Sequence, residues 1–446
     1  MFRHRWSILS LLILVICILL LVATGCDDSP VDVDEVDEGE EANFLKVGIV
    51  GPMGFVQGDH SWYGAELAKE EINAAGGINV GDKNYMIQTV MVDTNELQSV
   101  DDAVSAVERA IAVDDVDLFI GGFRTEAVLP MTEVAVDNNK IFMIAGAADR
   151  SLLEGRVDVD YDRYKYLFRI APPNNIELVT LSFILLNEVA NSVRAELGID
   201  TPRVAILMEM LTWNEPLVQI AQQQIPAMGM EVVGVWRPSA TATDISTELT
   251  EIQSQGAHII YMANSGPVAI TYGRQWGELE IPACSVGLSV ENQKAGYLEA
   301  TGGYGEYDMS LNTYGRAAAT EKSIPFWDTF METYDDTPSH SAGTYDALYL
   351  IKDAIENIGT IDSEALAEEI ANADYEGALG RVVFDEVHDV TWGPGFVTGF
   401  SNQWQDGELV AVWPYEWSPA EGVEITYQGA VPYKIPPRVI DYWKDR

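Results

Sequence analysis

The chain has 446 residues, 47% of them hydrophobic and 10% aromatic, enough material for two packed lobes of ordinary size. Its 26 Lys and Arg face 70 Asp and Glu, a formal net charge of -44 at pH 7. So acidic a surface excludes phosphate-backbone binding, which needs a basic footprint, and with it a nucleic-acid partner.

In chain order the first segment is Met1-Phe2-Arg3-His4-Arg5, followed by an aliphatic run from Ile8 to Val22 and by Ala23-Thr24-Gly25 before Cys26. A basic start, an apolar middle and a small-residue exit make an export signal. The apolar run falls short of the roughly 18 residues of a spanning helix, and an uncleaved N-terminal anchor is the alternative. The exit resembles the lipobox of prokaryotic lipoproteins, with Ala23 where leucine is commoner. That resemblance implies that residues 1–25 are a signal peptide and that Cys26 is the lipidation site, holding the chain on the outer face of the cytoplasmic membrane. Asp27 resembles the signal that retains lipoproteins on the inner membrane of two-membrane bacteria. Residues 26–43 are dense in Asp and Glu and almost free of large apolar side chains. Such a tract cannot offset its ordering entropy and is expected to be an acidic disordered tether. With Cys17 in the signal and Cys26 lipidated, Cys284 is left alone, so the mature chain has no internal disulfide and a buried thiol.

From Leu45 strands and helices alternate. Strands are expected at Leu45–Val50, Tyr85–Val92, Asp117–Gly121 and Lys140–Ala145, separated by helices at Ser61–Ala75, Ser99–Ala112 and Thr125–Asp137. The rhythm restarts after Phe168, with helices at Glu177–Glu196, Asn214–Met228, Ile245–Gln255 and Pro267–Leu279 around strands at Val204–Met208, Glu231–Trp236 and His258–Ala263. This alternation means right-handed crossovers and parallel sheets covered on both faces, and two such units mean two similar lobes. In such sheets a ligand sits beyond the carboxyl ends of the strands, so the loops after Val50, Gly121, Ala145, Met208 and Ala263 are the ones to watch.

None of these loops carries a phosphate-cradling signature, and Gly76-Gly77, Gly121-Gly122 and Gly302-Gly303-Tyr304-Gly305 read as turns and helix ends, so no cofactor is expected. The five histidines, His4, His60, His258, His340 and His388, lack metal-ligand spacing. Gly287-Leu288-Ser289-Val290-Glu291 lacks the second glycine of a nucleophile elbow, and no catalytic residue is expected.

Lys46-Val47-Gly48-Ile49-Val50-Gly51-Pro52-Met53, Tyr63-Gly64-Ala65-Glu66-Leu67-Ala68 and Ile72-Asn73-Ala74-Ala75-Gly76-Gly77-Ile78 together resemble the opening of the branched-chain amino-acid-binding family of ABC-transporter receptors. Ile120-Gly121-Gly122, Ile144-Ala145-Gly146-Ala147-Ala148 and Ala342-Gly343-Thr344-Tyr345-Asp346-Ala347 follow in order, and the resemblance runs from about Leu45 to Trp413. It implies an α/β chain of two doubly wound parallel-sheet lobes joined by a three-strand hinge, the type I periplasmic-binding fold. The crossings are expected near Phe168–Ala171, Asp308–Asn312 and Gly380–Phe384. Lobe 1 would then hold 44–169 plus 312–379, and lobe 2 would hold 170–311 plus 380–446 with the C-terminal stretch as a wrap. The implied function is capture of a small amino acid or related carboxylate or amide by cleft closure, and its delivery to an ABC-transporter permease.

By the same resemblance, the loop at Arg124 and Thr125 holds a ligand carboxylate, although Phe123-Arg124-Thr125-Glu126 departs from the family's serine-rich pattern. Arg124 is expected to pair with that carboxylate or, alternatively, with Glu126. Ala147, Ala148 and Asp149 are expected to meet an ammonium or hydroxyl, with helix capping as the alternative for Asp149. Trp213 and Tyr345 supply aromatic walls or ordinary packing, and Gln57 and Trp62 line the entrance. Ser285 lies nearest the place of the family's acidic ammonium partner. A sensor feeding a signalling partner through the same cleft and, further off, a lipid-anchored hydrolase are the competing functions.

Overall fold

The computed structural model describes residues 43–446 except 212–213, 419–421 and 445. The segment expected to be an export signal, Cys26, the expected tether up to residue 42 and Trp213 lie outside the described residues.

The first lobe opens with β1 (Asn43–Gly51), α1 (Val56–Ala74), the hairpin β2 (Ile78–Val80) and β3 (Lys83–Asp93), α2 (Val100–Ala112), β4 (Leu118–Gly121), α3 (Thr125–Asp137), β5 (Phe142–Ala145), the single turn α4 (Tyr161–Tyr164) and β6 (Leu167–Ala171). The second lobe follows with α5 (Asn175–Leu197), β7 (Arg203–Met208), α6 (Glu215–Ala227), β8 (Glu231–Trp236), α7 (Ser246–Ser254), β9 (Ile259–Asn264), α8 (Val268–Glu278), β10 (Cys284–Ser289), α9 (Tyr297–Ala300) and β11 (Met309–Asn312). The chain returns to cover the first lobe with α10 (Ser323–Tyr334), α11 (Thr344–Ile358), α12 (Ser363–Ala371) and the pair β12 (Asp374–Glu376) and β13 (Arg381–Val383). It ends on the second lobe with β14 (Phe400–Gln405), β15 (Glu408–Trp413) and α13 (Pro437–Trp443).

The parallel strands run β3-β1-β4-β5-β6 in one sheet and β8-β7-β9-β10-β11 in the other, the same doubly wound order twice. The order reverses between β1 and β4 and between β7 and β9. These reversals open a crevice beyond the strand ends in each lobe. Strands such as Val47-Gly48-Ile49-Val50 and Phe142-Met143-Ile144-Ala145 are fully buried, as strands covered by helices on both faces must be.

Four features depart from the expected pattern, the first being that Gly380–Phe384, expected to cross into lobe 2, stays with the first lobe, where Val382 and Phe384 pack in its core. Helix α1 starts at Val56 rather than Ser61, because Pro52–Phe55 suffices to turn the chain and Asp59 in the first turn accepts the Gly54 amide at 2.8 Å. The β2 hairpin is additional. The C-terminal stretch supplies two antiparallel strands beside β11 and a clamp: Trp443 Nε1 donates to Pro282 O at 2.6 Å, and the Arg438 guanidinium lies 3.8 Å from the Trp276 ring centroid. Cys284 is buried, and burial pushes its thiol up to about 12, an inert core group.

The crossings are fastened by one buried cluster. Arg169 on β6 forks onto Asp389, with Nε donating to Oδ1 at 2.8 Å and Nη2 donating to Oδ2, and its Nη1 donates to Asp149 O at 2.8 Å. Asn174 donates to the same carboxylate at 3.0 Å while its Oδ1 caps α5. One guanidinium thus ties β6 to the segment after β13 and to the loop after β5.

Candidate functional site

Helix α3 begins without a capping side chain, because its N-cap residue is Arg124, a donor only. A distant acceptor replaces the cap. Glu96, from the loop after β3, is fully buried, and its carboxylate accepts the amides of Phe123 at 3.2 Å and Arg124 at 2.7 Å and the Thr94 hydroxyl at 3.1 Å. Gly121 makes this approach feasible, with φ at +122° and space for no Cβ, since one would stand 2.1 Å from Val50 O. Burial raises the Glu96 pKa above its ordinary value, while the two amides and the hydroxyl work against that shift. These facing groups all donate, so the arrangement fits the ionised carboxylate.

The second lobe repeats the device with different parts. Helix α8 has Pro267 at its N-cap, again unable to accept. Glu209, directly after β7 and fully buried, accepts the Ser265 amide at 2.7 Å, the Ser265 hydroxyl at 2.5 Å and the Gly266 amide at 2.9 Å. Arg237 braces this loop from below, donating to Met208 O at 2.9 Å, Glu209 O at 2.9 Å and Asn214 Oδ1 at 2.8 Å, and pairing with Glu215 at 2.8 Å.

Carboxylates occupy the other strand-end loops too. Asp93 accepts the Met53 amide at 3.2 Å, and Asp336 accepts the amides of Ala295 at 2.9 Å and Thr337 at 2.8 Å. Asp336 also stands 3.1 Å from His60 Nε2, whose Nδ1 accepts the Ser339 amide at 3.1 Å. Burial works against the charged form of Asp336, yet His60 and the amides hold its carboxyl below the ordinary range. Because Ala295 belongs to the second lobe and His60 to α1 of the first, the strand ends of both lobes converge at this point.

Against this geometry the expected site residues divide. Arg124 pairs with Glu126 at 3.2 Å and donates to Glu96 O at 3.2 Å, the alternative foreseen for it, and Thr125 opens α3 half-buried beside it. Asp149 also takes its alternative role, capping the turn at Arg150–Leu152 by accepting the Ser151 amide at 2.9 Å. Ala147 is buried and donates to Gly122 O at 3.0 Å, and Ala148 O accepts the Asn175 amide at 2.7 Å at the crossing. Gln57 is buried in the first turn of α1, and Trp62 packs half-buried on the first-lobe core.

One placement needs correction, that of Ser285, while Tyr345 takes the packing alternative given for it. Ser285 sits at the start of β10, away from the strand's carboxyl end, fully buried and bonded to Tyr272 at 2.7 Å and Asp308 at 2.6 Å. It is a core hydroxyl and touches no cleft. Tyr345 packs 4.5 Å from the Phe326 ring and donates to Glu71 at 2.8 Å near the far end of α1, so its ring serves the helical layer. Sequence reasoning missed Glu96, Glu209, Arg237 and Asp336. The missing capping residues before α3 and α8 are the signal that points to the two glutamates. It also passed over Phe55 at 45%, Met210 at 61% and Leu211 at 37% exposure, large apolar side chains open to solvent on the loops after β1 and β7. Among the described residues no cluster of three His, Cys, Asp or Glu has metal-binding geometry.

The family model described as periplasmic binding protein matches residues 46–402. A Leu/Ile/Val-binding protein homologue from Brucella melitensis is 21% identical over 82% of this chain and 89% of its own length. Among solved structures, the branched-chain amino acid transporter substrate-binding protein of Streptococcus pneumoniae in complex with isoleucine superposes with a TM-score of 0.65 at 20% identity, covering 83% of this chain and all of that one. A solute-binding protein of an ABC transporter from R. palustris in complex with benzoate gives 0.63 at 16% identity over 88% of this chain and 99% of its own. Such proteins serve ABC transporters outside the cytoplasm and are not enzymes. The chain, two doubly wound lobes meeting at their strand ends, belongs to the periplasmic binding protein family.

Proposed function

We propose that this protein is a lipid-anchored receptor on the outer face of the cytoplasmic membrane that captures a small organic solute and hands it to an ABC-transporter permease. The observation that carries the reading is the repeated strand order, which sets two crevices at the converging strand ends of one hinged chain. Hinge closure is a two-state shift, so a ligand drives it only through contacts that the open form lacks. The permease then reads occupancy from shape. The relatives bind solutes of amino-acid size, and the candidate solutes are amino acids, small carboxylates and small amides. Cys26 supplies the tether, and a lipid anchor raises the receptor's effective concentration beside its partner.

Calorimetric titration of these three classes, paired with small-angle scattering, tests capture: the bound solute contracts the radius of gyration and is recovered chemically unchanged. A ligand that binds without contraction, or is recovered cleaved, removes the reading. Labelling with radioactive palmitate tests the anchor. Cys26→Ala loses the label, whereas a label that persists in the variant refutes lipidation at this residue.

A further inference from the structure

Helix α5, on the outside of the second lobe, is uncharged along most of both its faces. Leu181, Leu185 and Val189 fill the second-lobe core, as one face of a surface helix should. The opposite stripe reads Ile176, Thr180, Phe183 and Asn187, at the 4-3-4 spacing of a helix–helix seam. Ile176 and Thr180 are exposed and the other two half-buried. The helix is long and apolar enough to cross a membrane, yet fewer than half of the residues in its most apolar stretch are buried. Across a groove of about 560 Å³ the stripe faces Ile220, Gln224 and Met228 of α6. No charged residue lies between Glu177 and Glu188 on α5, or from Pro216 to Met230 through α6, in a chain where 70 of 446 residues are acids. An exposed apolar patch of this kind marks a contact surface.

We propose that the α5–α6 face is a twofold interface with a second copy of this chain. Self-complementarity selects that occupant. A twofold contact sets a patch against its own image, so any acid near the axis meets an acid, and the charge of -44 opposes the approach of two copies. On this face the apolar stripe buries against its image without bringing carboxylates together. Gln219, Gln223 and Gln224 are exposed on α6, and an amide that both donates and accepts can bond an identical amide. The size is consistent with a weak, reversible pair. Helix α5, with 23 residues, is about 34 Å long and α6, with 13, about 20 Å. Strips about 10 Å wide along both give about 500 Å² per copy, the low end of specific interfaces. Both helices belong to the second lobe, so pairing leaves each first lobe free to swing on its hinge.

Sedimentation velocity of the full chain in a density-matched non-ionic detergent, from about 1 to 100 μM, reads the oligomeric state. The expected result is a reversible dimer with a Kd of about 10 μM. Raising NaCl from about 0.05 to 0.5 M screens the repulsion between copies and should tighten it at least about threefold. Thr180→Glu on one wall of the groove and Gln224→Glu on the other each set a carboxylate against its own image and should weaken the dimer at least about tenfold. Both positions are exposed, so the variants keep the fold, which an unchanged melting temperature verifies. Thr250→Glu, exposed on α7, should leave the dimer intact. A monomer at every concentration, a dimer that persists in both groove variants, one that loosens with salt, or an assembly that keeps growing with concentration overturns the twofold contact. Monomers that bind phosphatidylcholine vesicles and lose that binding in Thr180→Glu also overturn it, assigning the face to lipid.

Discussion

The two lobes share a strand order and each closes its crevice with a buried glutamate, yet they recruit it from different strands. In the first lobe Glu96 reaches across from the loop after β3, the outer strand, to amides after β4. In the second, Glu209 leaves β7, the inner strand, and meets the amides after β9 one strand away. The common factor is the need of the helix entrance: Arg124 and Pro267 cannot accept, and the amides must be bonded wherever water is excluded. Crevice geometry therefore fixes which chemical group is required and leaves open which segment brings it. The two arginines differ in the same way, Arg237 being mostly buried among four acceptors and Arg124 partly exposed on two.

The comparison can be broken from its largest consequence downward. Arg169→Ala strips the seam between the lobes of its cation and leaves Asp389 buried and unpaired, a loss of about 4 kcal/mol in urea unfolding. A loss under about 1 kcal/mol would mean that the seam does not hold the crossings. Glu209→Ala orphans three donors in the second lobe and should cost about 3 kcal/mol. Glu96→Ala should cost less, about 2 kcal/mol, because the burial of this carboxylate outweighs the donors that face it, so removing it recovers part of the loss. Equal losses would erase the asymmetry between the lobes.

Glu177, in the first turn of α5 beside Asp389, gives a pH signature. Burial and the neighbouring Asp389 charge push its carboxyl up to about 7. A folded value above the unfolded one means that the folded state holds the extra proton, so this stabilisation is complete below pH 4.5 and is lost as pH rises through about 7. Glu177→Gln should remove that decline and leave the variant more stable at pH 8 by about 1 kcal/mol, read from melting temperatures across pH. An unchanged slope would refute the assignment. The smallest effect belongs to Arg124→Ala, whose exposed pairing should cost under about 0.5 kcal/mol, against about 2 kcal/mol for Arg237→Ala.

Much of this architecture is legible before folding. The alternation of Lys46-Val47-Gly48-Ile49-Val50 with amphipathic helices announces doubly wound lobes, because strands buried on both faces must be continuously apolar. It fades at element ends, as in the start of α1 and the C-terminal strands, where turn geometry and long-range pairing decide. The site was legible as a set of loops and much less as a set of residues. Arg124 and Asp149 lie on loops at the strand ends, but whether a side chain faces ligand or neighbour depends on partners 28 or 26 residues distant, such as Glu96 and Asn175. Ser285 fails for a related reason: period-two alternation places it on a face of β10, and only packing against Tyr272 and Asp308 decides that the face is core.

By itself, then, the sequence determined the class of fold, the strand order's rhythm, the acidity and the absence of a nucleic-acid footprint, since these follow from local periodicity and summed charge. The tertiary structure alone decided which amides point into the crevices and which acids already fill them, because a hydrogen bond between Glu96 and Arg124 or between Glu209 and Gly266 exists only once distant strands lie side by side.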